Sequence, residues 1–391
     1  MVTVTMAALR VAIIGGGIGG LSAATALLRK GMDVRVYEQA PALAEVGAGV
    51  GLYPNSLRLL KRWGFGAGLA RYGAPVTDMR FCRSDGSVVT DMTAFISPEE
   101  PNIGIHRADL VTMLADALPA GVMRTGYRGT GFSQGDASAV VTFDNGERAE
   151  ADVVVAADGI HSVLRRHVGP AAGPVFSGSV AYRGTIPADR VPEWPVGAWR
   201  AYMGKGKHFL AYPVRAGQLL NFVGFVPADD EMRESWSASG DPTVLAAEFT
   251  GWDPVVERIL AAVDATFRWG LYDHPPLDRW SRGRLTLLGD AAHPMLPHLG
   301  QGVSQSIEDA AALAALLDGV GSADVTGTLA RYESLRRDRT ARIQGGARSN
   351  GALYDASDTD LRGRDEQVRT QTAELAWVYD YDAEAEAHAA R

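Results

Sequence analysis

One stretch near the start of the chain, RVAIIGGGIGGLSAATALLRKGMDVRVYEQA, constrains the fold more than any other. It reads as an apolar strand, a glycine turn, a helix and a second strand within about 30 residues, the size of one βαβ unit. Gly15, Gly17 and Gly20 stand at G-x-G-x-x-G spacing inside it. There the first glycine permits a tight turn, the second lets the backbone approach a pyrophosphate, and the third lets the helix pack closely on the strand. Glu38 ends the second strand, where a carboxylate can accept hydrogen bonds from ribose hydroxyls. The glycines together with their flanking elements point to a bound dinucleotide, whereas a lone glycine repeat would specify only a turn.

A second glycine-rich region, GDAAHPMLPHLGQGVSQSIEDAAALAALL, follows the apolar run LTLLG. Its second half carries Val303, Ile307, Ala310, Ala311, Ala314 and Leu317 at helical spacing, which predicts one buried face. Its first half combines Gly289, Gly300 and Gly302 with Pro294 and Pro297, the make-up of a ligand loop between strand and helix. The start of that helix offers unpaired N–H groups and a partial positive charge to a partly anionic ligand.

Between these regions, ASAVVTFDNGERAEADVVVAADG predicts a hairpin about Asn145-Gly146 and a buried strand over residues 153–157 that ends at Asp158-Gly159. From about residue 177 to 268, VAYRGTIP, HFLAYPV and LLNFVGFV read as antiparallel strands of a separate sheet. At 391 residues the chain exceeds one core. The expected division is a nucleotide domain over residues 1–176, admitting elements of the second sheet near 76–100, then a substrate domain over 177–275. The nucleotide domain returns over 276–350, and a helical tail at 351–391 packs outside. The end, YDYDAEAEAHAAR, is polar and alanine-rich enough to fray.

A net charge of -8 argues against a nucleic-acid partner. The single Cys82 excludes an intrachain disulfide and multi-cysteine metal sites, which fits a reducing cytoplasm. The opening MVTVTMAALRVAIIGGG lacks a basic leader and a run long enough to span a bilayer, so neither export nor a membrane segment is expected. His293 and His298 lack the H-E-x-x-H pattern and a local set of further ligands, so no metal site is expected. GKGK at residues 204–207 lacks P-loop spacing and reads as a turn.

GGGIGG with Glu38, HRADL at residues 106–110, AADGIHSVLR at 156–165 and GDAAHPMLPHLGQG at 289–302 occur in the order and spacing of one family. The chain resembles the single-component flavoprotein aromatic hydroxylases, which act on salicylate, hydroxybenzoate and hydroxynicotinate. The resemblance implies an α/β fold: a Rossmann-like FAD-binding domain, an inserted antiparallel β-sheet substrate domain and a C-terminal helical segment. It also implies noncovalent FAD, NAD(P)H as co-substrate, O₂, a small aromatic substrate and chemistry through a flavin C4a-hydroperoxide, with a homodimer left open. By position, Asp290 would hold the FAD ribityl chain and Arg107 the ribityl or phosphate region. Asp158 and Gly159 would lie near the pyrophosphate and the nicotinamide approach, and Val50 beside the cofactor. Pro294 would border the isoalloxazine, and the backbone of Gly300, Gln301 and Gly302 would face its N1 and C2 carbonyl end.

His208, Leu210 and Tyr212 alternate along one strand and so face one side, where relatives place a histidine and a tyrosine near substrate. His298, beside the flavin loop, is a further substrate candidate, while His293 reads as structural. Arg183 and Arg215 each suit either a substrate carboxylate or a structural role. Gly51 stands where hydroxypyridine-type relatives have histidine, which weakens that substrate choice. The alternatives are oxidation of a non-phenolic or purine-like ring, and a flavin-binding regulatory protein without turnover.

Overall fold

Strands that are apolar on both faces can sit only in the middle of a covered sheet, and VAII and VVVA are such strands. The computed structural model describes residues 7–43, 48–97, 99–169, 173–228, 239–356 and 361–391. In it Arg10–Ile14 lies between Asp33–Glu38 and Val153–Ala156, parallel to both. Leu285–Leu287 pairs in parallel with Val153–Ala156, Met123–Thr125 closes one edge and Ser281–Arg282 the other, giving six strands. The expected hairpin is present: Ala139–Phe143 and Arg148–Ala151 pair antiparallel, with Gly146 at φ 84° in the turn.

Helix Ile18–Arg29 packs on helix Gly302–Leu317. The second of these departs from the one-faced burial that its spacing predicts. From Ser304 to Leu317 every residue is buried, Glu308 and Asp309 included, and only Gly302 and Val303 keep partial exposure.

An eight-stranded sheet forms the other half of the chain. Its order is Ser239–Gly240, Thr266–Asp273, Val175–Pro187, Leu219–Pro227, Lys207–Val214, Ala198–Gly204, Asp78–Arg83 and Val88–Asp91. All pairs are antiparallel except Ala198–Gly204 with Asp78–Arg83, so two strands come from far upstream. A small sheet, Gly49–Leu52, Asn102–His106 and Ala74–Val76, carries Val50 and leads directly into helix Arg107–Asp116.

The fraying expected at the C-terminal end is not what forms. Ala383–Ala389 is a helix whose N-cap Asp382 accepts from Ala385 N at 3.2 Å, and Ala383 and Ala387, four apart on one face, are fully buried in the main core. Alanine brings no polar group to be desolvated and is the best helix former, so an alanine-rich end docks where a groove awaits it.

Candidate active site

A long cleft is lined by residues of both large sheets, with an outer trough of about 740 Å³ and an inner chamber of about 320 Å³. Gly17, Arg107, Gly159, Arg183 and Asp290 line both halves and mark their junction.

The glycine turn forms the trough's floor. Gly15 has φ 110°, and a Cβ there would stand 2.2 Å from the carbonyl oxygen of Ala157; one on Gly20 would stand 1.9 Å from that of Gly15. A Cβ on Gly17 would meet nothing within 4 Å, because that position opens on the trough. Glu38 accepts from Gly16 N at 2.6 Å and from Ala40 N at 2.8 Å, so the carboxylate is held at the trough's rim. Asp158 accepts from Val163 N through Oδ2 at 3.0 Å, while its Oδ1 is buried with no hydrogen-bond partner, and burial pushes its pKa up. A buried acceptor without a donor suits a ligand that brings one. These features fit a nucleotide cofactor.

The inner chamber is mostly apolar, walled by Val76, Met79, Trp199, Leu210, Val223, Phe225 and Leu296, with Tyr212 and Arg183 as polar groups. Val50, Asp290, Gly300 and Gly302 also line the chamber, and Pro294 lines the outer trough. Gly300 adopts φ 63°, and a Cβ there would come within 2.6 Å of the Tyr53 hydroxyl. Asp290 is exposed to the open cleft, and the surrounding protein pushes its pKa up by desolvation against the pull of His293, Arg107 and Arg165.

The loop over residues 289–302 is pinned from behind by ions that its sequence does not reveal. Asp309 accepts from Gly289 N at 3.0 Å, from His293 Nε2 at 2.5 Å and from Arg336 Nε at 2.8 Å. Its neighbour Glu308 accepts from Asn55 and Arg336, both at 2.6 Å, and from Arg339 at 2.8 Å. Arg339 then donates to the carbonyls of Trp377 and Val378. Tyr379 in the same segment stacks on Tyr53, a chamber residue, with centroids 5.5 Å apart.

Of the residues singled out from sequence, Tyr212 and Leu210 line the chamber, and His208 and His298 do not. The buried His208 Nδ1 lies 2.6 Å from Asp355 Oδ1 and its Nε2 lies 3.2 Å from His298 Nδ1. Phe225, directly across the strand pair, stacks on the His208 ring at 4.1 Å and presents its own ring to the chamber. Gln301 likewise turns away: its Oε1 accepts from Asn55 at 3.0 Å, and its side chain is buried. Arg215 forms two bonds to Asp109, at 2.9 and 3.0 Å, and is thereby accounted for. His293 is structural, as expected, through Asp309. Tyr53, Trp199 and Asn102 line the chamber without any sequence signal to mark them.

Similarity to known proteins covers nearly the whole chain. The family described as FAD binding domain matches residues 8–346. The 3-amino-4-hydroxybenzoate 2-monooxygenase PtmB3 of Streptomyces platensis is 38% identical over 383 residues, covering 96% of each chain. The 6-hydroxynicotinate 3-monooxygenase of Bordetella bronchiseptica is 32% identical, again over 96% of each. A solved salicylate hydroxylase substrate complex superposes with a TM-score of 0.86 at 28% identity, covering 98% of both chains. No helix among the described residues is long and apolar enough to cross a membrane.

Proposed function

We propose, on the premise that this chain belongs to the FAD-dependent aromatic hydroxylases, that it hydroxylates a small phenolic or heteroaromatic acid with NAD(P)H as reductant. The observation that carries this is the continuity of the cleft: a glycine-turn trough suited to the nucleotide opens, past the loop of residues 289–302, into an apolar chamber sized for one ring. Bound FAD supplies the redox chemistry, accepting hydride equivalents and activating O₂ for transfer of one oxygen atom.

The protein's own share is binding, orientation and exclusion of water. Glu38, Asp158, Arg107 and Asp290 would hold the cofactor along the trough, and the N–H groups around Gly302 would face developing negative charge at the isoalloxazine. Trp199, Leu210, Val223 and Phe225 would clamp the substrate ring. Burial drives the Tyr212 pKa well up, against the opposing pull of Arg183, so its hydroxyl stays protonated and donates a hydrogen bond to the ring's oxygen substituent.

Purified protein should be yellow and release FAD on denaturation. A panel of aromatic acids, with uric acid as the purine-like comparison, should contain a compound that accelerates NAD(P)H oxidation and gains one oxygen by mass spectrometry. Flavin-loaded protein that no ring stimulates would leave only a binding role. Asp290→Ala should weaken FAD binding by roughly 10-fold through loss of one charged hydrogen-bond partner, with thermal unfolding of the apoprotein little changed; equal FAD titrations of mutant and wild type would remove Asp290 from the cofactor site. Tyr212→Phe should keep its FAD but bind substrate about 5- to 10-fold more weakly and divert NAD(P)H oxidation to peroxide. His208→Ala should behave differently, because its ring acts only through Phe225 and His298: substrate affinity falls modestly while thermal stability drops.

A further inference from the structure

Several buried guanidinium groups among the described residues have charged or carbonyl partners. Arg336 has Glu308 and Asp309, Arg200 has Asp78, and Arg165 donates to the carbonyls of Ala291 and Asp290. Arg183, like Arg268, has no such partner, and of the two only Arg183 lines the cleft. It projects from strand Val175–Pro187 at the junction of trough and chamber, and among the described residues no carboxylate pairs with it. Its guanidinium lies over the Trp269 ring at 4.6 Å, and its Nε is buried without a hydrogen-bond partner.

The charges around it do not compensate. Arg107 repels it, and the group that pulls the other way is Tyr212, whose hydroxyl burial keeps protonated. Desolvation pulls the Arg183 pKa down to about 10, which still leaves it a cation at neutral pH. A desolvated cation in an apolar site is costly until an anion arrives, and a planar guanidinium matches a carboxylate in bidentate geometry. Trp269 packs against the guanidinium from one side, while Trp199, Leu210 and Phe225 supply apolar walls for the ring attached to that carboxylate.

We propose that Arg183 is the specificity-determining anchor for a carboxylate borne by the aromatic substrate, selecting ring acids over their neutral analogues. This rests on the hydroxylase reading above and narrows it. A neutral amide leaves the guanidinium unpaired, so discrimination arises from a penalty on the wrong ligand as much as from attraction to the right one. Arg215, the other arginine open to this role from sequence, is already neutralised by Asp109 at the protein's edge.

The test uses FAD-loaded wild type, Arg183→Gln, Arg183→Met and Arg183→Lys. Salicylate, 3-amino-4-hydroxybenzoate and 6-hydroxynicotinate are titrated beside their carboxamides, with binding followed by the visible flavin spectrum and by calorimetry, and FAD affinity is measured separately. Wild type should bind at least one acid about 10-fold or more tightly than its amide. In Arg183→Gln and Arg183→Met the acid should weaken by roughly 10- to 100-fold while the amide moves by less than about 3-fold. Arg183→Lys should recover part of the acid's affinity, since it restores charge but not the fork. An acid preference unchanged in the glutamine and methionine variants overturns the assignment, as does a wild type that does not distinguish acid from amide. Loss of FAD affinity with the acid preference intact also overturns it, by giving Arg183 to the cofactor. Absence of ring-stimulated NAD(P)H oxidation and of oxygenated product from wild type, across acids and amides alike, would instead fail the hydroxylase reading itself.

Discussion

Asp309→Ala is expected to lower the free energy of unfolding by about 3–5 kcal/mol, the range found when one partner of a buried ion pair is removed. The carboxylate is fully buried and accepts from His293, Arg336 and the backbone of Gly289 at once. Its loss leaves a guanidinium without half of its counter-charge and frees the start of the loop that lines the chamber. Urea unfolding of the apoprotein reads the stability, and FAD titration reads the loop. A change below about 1 kcal/mol, within the ordinary scatter of mild substitutions, would show that the network is not under this load. The pH dependence follows with a definite sign. Burial alone would raise the Asp309 pKa, but His293 and Arg336 outweigh it and hold the group down at about 2. A depressed folded value means that the stabilisation is complete above the unfolded carboxylate pKa of about 3.9 and is lost as pH falls from there towards 2. Asp309→Asn should therefore flatten the acid limb of the stability curve between roughly pH 4 and pH 2.

Gly15→Ala should cost FAD binding a factor of roughly 100 or more, because strain of a few kcal/mol falls on the turn that must meet the pyrophosphate. The position needs φ 110°, which L-residues rarely adopt, and the new Cβ would overlap the Ala157 carbonyl at 2.2 Å. That carbonyl directly follows the core strand Val153–Ala156, and its residue is held by the bond from Ala157 N to Ile14 O, so moving it disturbs the sheet. Gly31→Ala is the matched comparison: φ is 79° and a Cβ there meets nothing within 4 Å. It should lose about 1 kcal/mol from backbone strain and keep its flavin. Equal flavin retention in the two variants would mean that the first turn is not a phosphate-binding turn.

The strand, glycine turn and helix at residues 10–40 were legible because each local feature served one purpose. Gly15 turns, Gly20 packs and Glu38 ends a strand, and the spacing of the three within one βαβ unit marks them, even though the close approach at Gly15 is to the distant Ala157. The alternation of Leu210 and Tyr212 was legible for the same reason. What could not be read is whatever depends on residues hundreds of positions distant. Phe225 takes the place beside the chamber that periodicity offered to His208. Glu308 and Asp309 would pass for a solvated helix face, and only Arg336 and Arg339 from the following helix turn them into a core. Arg183 and Arg215 could not be told apart because Asp109, which satisfies one of them, comes from a different element. Ala383 and Ala387 looked like a fraying end since alanine is compatible with both surface and interior.

The parallel seam between Ala198–Gly204 and Asp78–Arg83 has a consequence for how the molecule is assembled on the ribosome. More than a hundred residues must be synthesised between the two partners, and the six-stranded sheet waits longer still, until Leu285–Leu287 emerges to pair with Val153–Ala156. Neither sheet is complete when its first strands appear, and long-range pairing of this kind is slow to form. The upstream strands thus spend part of synthesis with open edges, a hazard for aggregation in rapid overexpression. The same seam bars a shortcut in engineering: residues 177–275 moved alone into a related scaffold would carry an unpaired Ala198–Gly204 edge, so a working graft must take residues 78–91 with it.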